Sequence, residues 1–370
     1  MKTAVLTIAL LLNSFCLLLG QSSNSSVKTG NAPDKQLKSR VDSLIQLYIQ
    51  KGEFEGVVLV AHNGVPIYRH VAGLANREWR IPNRHSTKFR IASVTKPFTA
   101  VMTFKAIEKG LLQLDGKITE YLPDYPRKRG DSITIANLLA HTSGLIDVPQ
   151  VAGLDWNNER LNHSEEKMLS YFKDSSLLFT PGTDFRYSNF NYYLLRIIIA
   201  KVYNRNYDSL LQENIFIPAG MKHSSTAANK IVLDSLASGY FINNGVYHNA
   251  PYFDQSVVRG FGDIISTADD LLAFDQALYG EKLLSNKTKA QMFTPSLPAK
   301  NNGSYGWFVK LPGEKGPNWV RHSGSVNGYS SILVRVTDDN WTIILLSNRH
   351  GIQTTAITNA IRDLVVSKAL

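Results

Sequence analysis

The stretch "IASVTKPFTA", Ile91 to Ala100, sets a serine and a lysine three residues apart among small apolar side chains. Pro97 has no N–H, so it fits only the first turn of a helix, and the helix must begin within a few residues of Ser93. Ser93 and Lys96, at i and i+3, then share a face, and the unbonded N–H groups of the first turn point out beside the hydroxyl. One turn thus offers a nucleophile, an amine and an anion site. An ordinary lysine is a free amine in only roughly one part in a few thousand at neutral pH, so a basic role requires that Lys96 be desolvated or set against another cation. Ile91, Ala92, Val94 and Phe98 make desolvation possible. Read alone, however, the stretch is better explained as a helix start with a solvated lysine.

Two distant stretches change that balance. In "FTPGTDFRYSNFNYYLL", Tyr187-Ser188-Asn189 forms a turn after Pro181-Gly182 and opens an apolar helix from Phe190. There a phenol can serve as base or proton relay, and Asn189 can hold a substrate amide or carbonyl. The local alternative is a packed aromatic and a helix cap. In "RHSGSVNGYSSIL", His322-Ser323-Gly324 ends one strand and precedes another. A glycine there lets a substrate lie close to the strand edge, so the Ser325 N–H can pair with that of Ser93 as oxyanion donors, with His322 as a polar or cationic wall. A plain hairpin turning at Asn327-Gly328 is compatible with the same residues.

Ser93-Val94-Thr95-Lys96, Tyr187-Ser188-Asn189 and His322-Ser323-Gly324, in this order, resemble the three motifs of the serine β-lactamase and penicillin-binding-protein superfamily, in its class C-like branch of D,D-carboxypeptidases, D-aminopeptidases and esterases. "LLAHTSGL" (Leu138 to Leu145), "PGTDFRYSN" (Pro181 to Asn189) and "GDIISTADDLLAF" (Gly262 to Phe274) fit the same branch, and the resemblance covers roughly 34–370. It implies that Ser93 attacks a carbonyl to form an acyl-enzyme, that Lys96 and Tyr187 share the proton traffic, and that Asn189 orients the substrate. His141 is assigned a supporting place by the same resemblance. The third motif departs from the family by opening on histidine where many members carry lysine. A histidine near pKa 6.5 is mostly neutral at pH 7, which argues against efficient hydrolysis of carboxylate-bearing β-lactams and leaves esters or D-amino-acid peptides open.

The rest of the chain sets the frame. Its 370 residues, 44% hydrophobic, can bury a large core. Met1 to Leu19, a short basic head and an apolar run, reads as a signal peptide ending at Gly20, with a retained membrane anchor as the competing reading, so a secreted or periplasmic location is expected. The sole cysteine, Cys16, lies inside it, leaving no disulfide or thiolate chemistry afterwards. Residues 21–34 read as a linker and 35–370 as the catalytic domain. The expected fold is α+β: an antiparallel sheet carrying N- and C-terminal helices from 35–110 and 235–370, with an all-helical insert at 111–234. Asn63-Gly64 signals a hairpin.

The net charge of +10 is scattered, with no basic stripe interleaved with aromatics, which argues against nucleic acid. Nine scattered histidines show no metal spacing, and no glycine-rich phosphate motif suggests a cofactor. The expected partner is a small-molecule or cell-wall-peptide substrate. The competing class is a binding protein that keeps the fold without the chemistry.

Overall fold

The computed structural model describes residues 35–147, 159–226, 231–296 and 302–366. The expected signal peptide and linker lie outside them. Helix α1 (Lys35–Gln50) leads into the hairpin β1 (Gly56–His62) and β2 (Val65–Ala72). Short strands β3 (Leu74–Asn76), β4 (Ile81–Pro82) and β5 (Phe89–Arg90) precede a 3-10 turn, Ala92–Val94, that runs into α2 (Thr95–Glu108). The middle of the chain is helical, with α3 (Ile118–Tyr121), α4 (Arg127–Gly130), α5 (Ile135–Leu139), α6 (Glu165–Ser170), α7 (Asn189–Tyr203), α8 (Tyr207–Leu211) and α9 (Ile217–Ala219). Then come β6 (Ser225–Thr226), the hairpin β7 (Tyr240–Asn243) and β8 (Val246–Asn249), β9 (Ile264–Ser266), α10 (Ala268–Ala277) and α11 (Asn286–Met292). The last segment holds β10 (Phe308–Val309), β11 (Trp319–Val326), β12 (Tyr329–Val336), β13 (Trp341–Ser347) and α12 (Thr354–Val366).

The main sheet is antiparallel in the order β10-β11-β12-β13-β1-β2, so the first and last strands of the chain pair at its centre. Successive side chains on a strand point to opposite faces, and the two faces carry separate cores. Val58, Val60, Ile332, Val334, Ile343 and Leu345 pack with Leu37, Val41 and Ile45 of α1 and Ile357, Ile361 and Val365 of α12. Val57, Leu59, Leu333, Ile344 and Leu346 face α2 and the helical middle. The expected α+β layering is what the chain adopts. Asn63 (φ 50°) and Gly64 (φ 75°) are both left-handed, the mirror-image turn that matches strand twist.

Three boundaries differ from expectation. Residues 111–234 are not wholly helical, because β6 falls in them and pairs with β9 in a small sheet that also holds β5. "SYGWFVKL" yields only the two-residue β10, since Gly306 (φ 84°) turns the backbone and the Ser304 N–H bonds the Trp307 carbonyl. His322-Ser323-Gly324 does not end a strand. It lies within β11, which stays in register with β12 as far as Val326 opposite Tyr329.

Candidate active site

Helix α2 is buried on nearly every side, with Thr95 through Phe104 all inaccessible, so its first turn is fixed by the core rather than by solvent. Ser93 sits in the 3-10 turn that opens it. The residue before, Ala92, has φ 48°, a left-handed conformation that costs a non-glycine residue about 1–2 kcal/mol. Pro97 falls in the first turn of α2, as its missing donor requires.

Lys96 is fully buried and its Nζ lies 3.0 Å from Ser93 Oγ, 2.8 Å from Asn189 Oδ1 and 3.3 Å from the Phe261 carbonyl. The rings of Tyr187, Phe261 and Tyr192 surround it at 4.8, 5.1 and 5.7 Å. Burial lowers its pKa to about 7, against the opposing pull of Asp147. The amine is therefore substantially unprotonated at neutral pH and is bonded to the hydroxyl it would deprotonate.

Tyr187 reaches the Ser93 hydroxyl from the other side, and burial raises its pKa well above the ordinary phenol value. It is a neutral donor at pH 7. Its ring stacks on His141 at 4.2 Å. His141 has φ 58°, and its Nδ1 accepts from the Ser188 N–H and the Asn191 amide, each at 3.2 Å. The imidazole thereby fixes the tyrosine turn to α7 rather than touching Ser93.

Asn189 is the first residue of α7. Its Oδ1 is taken by Lys96, and its Nδ2 and backbone N–H donate to the two oxygens of Asp147 at 3.2 and 2.8 Å. One Nδ2 hydrogen remains for a substrate carbonyl. Asp147 is the residue that the sequence does not reveal. It lies in the loop "GLID" after His141, and only the fold brings it to the start of α7, where a carboxylate is favoured. An isolated acid in a glycine-containing apolar loop is the sole local clue.

The third motif meets the first through close backbone approach. A Cβ on Gly324 would lie 2.4 Å from the Ile91 carbonyl oxygen and 3.0 Å from the Ser93 nitrogen. Ser325 faces Ser330 one residue before the pair that closes the β11–β12 turn, so its N–H points away from β12, toward the open edge. β10 pairs only with Val320 and Arg321, leaving His322 to Val326 uncovered by it. His322 is buried rather than an exposed wall: it packs beside Phe308 and Tyr187, and its Nδ1 lies 2.7 Å from the Ser323 carbonyl. Burial, then the charge of Lys96, lowers its pKa to about 3, so the wall it offers is polar and not cationic.

All seven residues singled out in the sequence thus gather around the start of α2 and the free edge of β11. Among the described residues, no group of acids, histidines or cysteines is arranged to hold a metal ion.

Residues 41–367 match the family model described as Beta-lactamase. Penicillin-binding protein 4* of Bacillus subtilis (strain 168) is 31% identical over 333 residues, covering 85% of this chain and 72% of that one. The penicillin binding protein from Bacillus halodurans superposes with a TM-score of 0.76 at 25% identity, over 88% of this chain and 98% of the other. D-amino acid amidase from Ochrobactrum anthropi SV3 shares the fold, with a TM-score of 0.79 at 22% identity over 90% of this chain and 100% of that one.

Proposed function

Because the chain belongs to the beta-lactamase family of serine hydrolases and penicillin-binding proteins, we propose that it is a hydrolase that forms an acyl-enzyme at Ser93 from a small ester, amide or D-amino-acid peptide. The observation that carries this reading is the buried Lys96 amine, 3.0 Å from the Ser93 hydroxyl with its pKa lowered to about 7. Lys96 takes the Ser93 proton as Oγ attacks the carbonyl carbon. The Ser93 and Ser325 N–H groups receive the developing oxyanion. Tyr187, neutral and bonded to Ser93, gives its phenol proton to the departing group and recovers one from the protonated Lys96, and water reverses the sequence to free the acyl product. The amide chemistry named for the amidase of like fold, and the neutral His322, both support an uncharged or amide-type leaving side. The apolar N-terminal stretch supports an exported enzyme, and no cofactor enters the scheme.

Acylation tests it. The protein should give a burst with an activated ester and a covalent adduct with a fluorescent penicillin or phosphonate, and Ser93→Ala should abolish both and lower turnover by about 10⁶-fold. A folded wild-type protein with no burst and no adduct would instead be a binding protein on the same fold. Tyr187→Phe should slow turnover by roughly 10²–10⁴-fold without unfolding the protein, because the ring remains to stack on His141. Near-native activity in that variant would remove the phenol from the proton path.

Lys96 also sets a pH dependence. The charged and titratable groups around it are Asp147, His141, His322, Tyr187 and Tyr192, and of these only Asp147 favours its protonated form. The rate should fall as pH drops through about 7, where the amine protonates. Asp147→Asn should move this acid limb to lower pH and reduce the rate at pH 8 by roughly ten-fold, since Asn189 loses a charged partner. An unmoved limb would show that Asp147 only braces the loop.

A further inference from the structure

At the Asn327 end of β11 lies a cavity of about 270 Å³ lined by Arg90, Ser238, Asn249, Tyr252, Phe253 and Asn327. Arg90 is half-buried on β5, three residues before Ser93. One of its terminal nitrogens, Nη1, is buried without a hydrogen-bond partner. The Arg90 side chain lies against the Tyr329 hydroxyl, which donates to the Ala237 carbonyl. The Phe253 ring stands 5.6 Å from the guanidinium carbon.

Among the described residues, no carboxylate lines the cavity and none forms an ion pair with Arg90. Asp254, which follows the lining residue Phe253, accepts from Asn162 and from the Ser256 N–H. A guanidinium withdrawn from water without an acid partner is a binding determinant for an anion, and its planar donors suit a carboxylate.

The cavity's position relative to the chemistry says which part of a substrate it receives. Tyr187, the proton donor to the leaving group, stands beside His322 at the other end of the segment from His322 to Asn327. A substrate laid along the free edge of β11 with its carbonyl between the Ser93 and Ser325 N–H groups directs its leaving group toward His322. The acyl arm then runs toward Asn327.

We propose that this cavity is an acyl-side subsite, in which Arg90 binds a carboxylate carried on the acyl arm of the substrate. The inference rests on the acyl-enzyme reading above and narrows its substrate class to acyl donors that bear an acid. It also relocates acid recognition. The third motif, whose histidine is neutral, is not the place where a carboxylate is read.

The test uses two activated esters with one leaving group, p-nitrophenyl hemiadipate and its neutral methyl ester, hydrolysed by the full protein. The wild type should prefer the acid by about ten-fold in kcat/KM, the equivalent of roughly 1.4 kcal/mol. Arg90→Gln should erase that preference while leaving the rate on the neutral ester within about three-fold. Asn327→Asp, which sets a carboxylate in the same cavity from an accessible turn, should reverse the preference and serves if Arg90→Gln does not fold. No preference in the wild type, or a preference that survives Arg90→Gln and Asn327→Asp, would overturn the proposal. Its failure is distinct from failure of the enzyme reading, because Ser93-dependent turnover of the neutral ester establishes the acyl-enzyme without the acid arm.

Discussion

Lys96→Met is expected to lower acylation of Ser93 by about 10³–10⁴-fold while making the folded protein harder to denature at pH 7. The two effects have one cause. A lysine that titrates near 10.5 when unfolded and at about 7 when folded binds its proton more strongly in the unfolded chain throughout that interval. Stability from this group is therefore lowest below pH 7 and rises with pH until the unfolded lysine also deprotonates. Integrated over the interval, the difference is about 5 kcal/mol. Methionine removes the penalty but leaves the Asn189 amide oxygen and the Phe261 carbonyl without their donor, at about 1–3 kcal/mol together. A net gain of about 2–4 kcal/mol at pH 7 remains. Urea denaturation at pH 7 and pH 9.5 checks it: the advantage of the variant over the wild type should shrink at the higher pH. A constant difference would mean that the amine is not titrating as its burial requires.

Gly324→Ala should be nearly as damaging without touching a polar group. The new methyl would meet the Ile91 carbonyl oxygen at 2.4 Å and the Ser331 hydroxyl at 2.5 Å, and neither neighbour is a free side-chain end. Ser331 Oγ is held by its bond to that same carbonyl at 2.7 Å. β11 must retreat from the Ser93 turn, which spreads the two N–H groups between which the oxyanion forms. We expect acylation to drop by about 10²–10³-fold, the effect of losing one such donor, with about 1–3 kcal/mol of stability lost to overpacking. Binding of a phosphonate that needs both donors should fall in parallel. Near-native acylation in this variant would show that the Ser325 N–H does not serve the oxyanion.

The sequence carries much of this and omits the rest for identifiable reasons. Pro97 dates the start of α2, Asn63-Gly64 specifies a turn, and the strand-like runs of β11, β12 and β13 announce strands, because each signal is local. The seven site residues come from ordered motifs rather than from any one stretch. What is missing depends on distant chain. The low pKa of Lys96 requires rings from Tyr187, Tyr192 and Phe261, and Asp147 acquires its place only when its loop meets α7. Ala92 and His141 take left-handed conformations that no residue type advertises, since the surrounding packing imposes them. Whether His322 offers a polar or a cationic wall is open until Phe308 and Tyr187 are seen to bury it beside Lys96.

The pairing of β1 with β13 has a consequence for synthesis. These strands come from opposite ends of the chain, and they lie side by side through six consecutive pairs, from Val57 opposite Leu346 to His62 opposite Trp341. A nascent chain that already contains Ser93, Lys96 and Tyr187 still lacks β11 and the strand that joins it through β12 to β1. The sheet closes only after β13, ending at Ser347, has left the ribosome, and so long-range a closure is slow relative to the helical middle. Ser93, Lys96 and Tyr187 are therefore translated well before the strands that complete their surroundings.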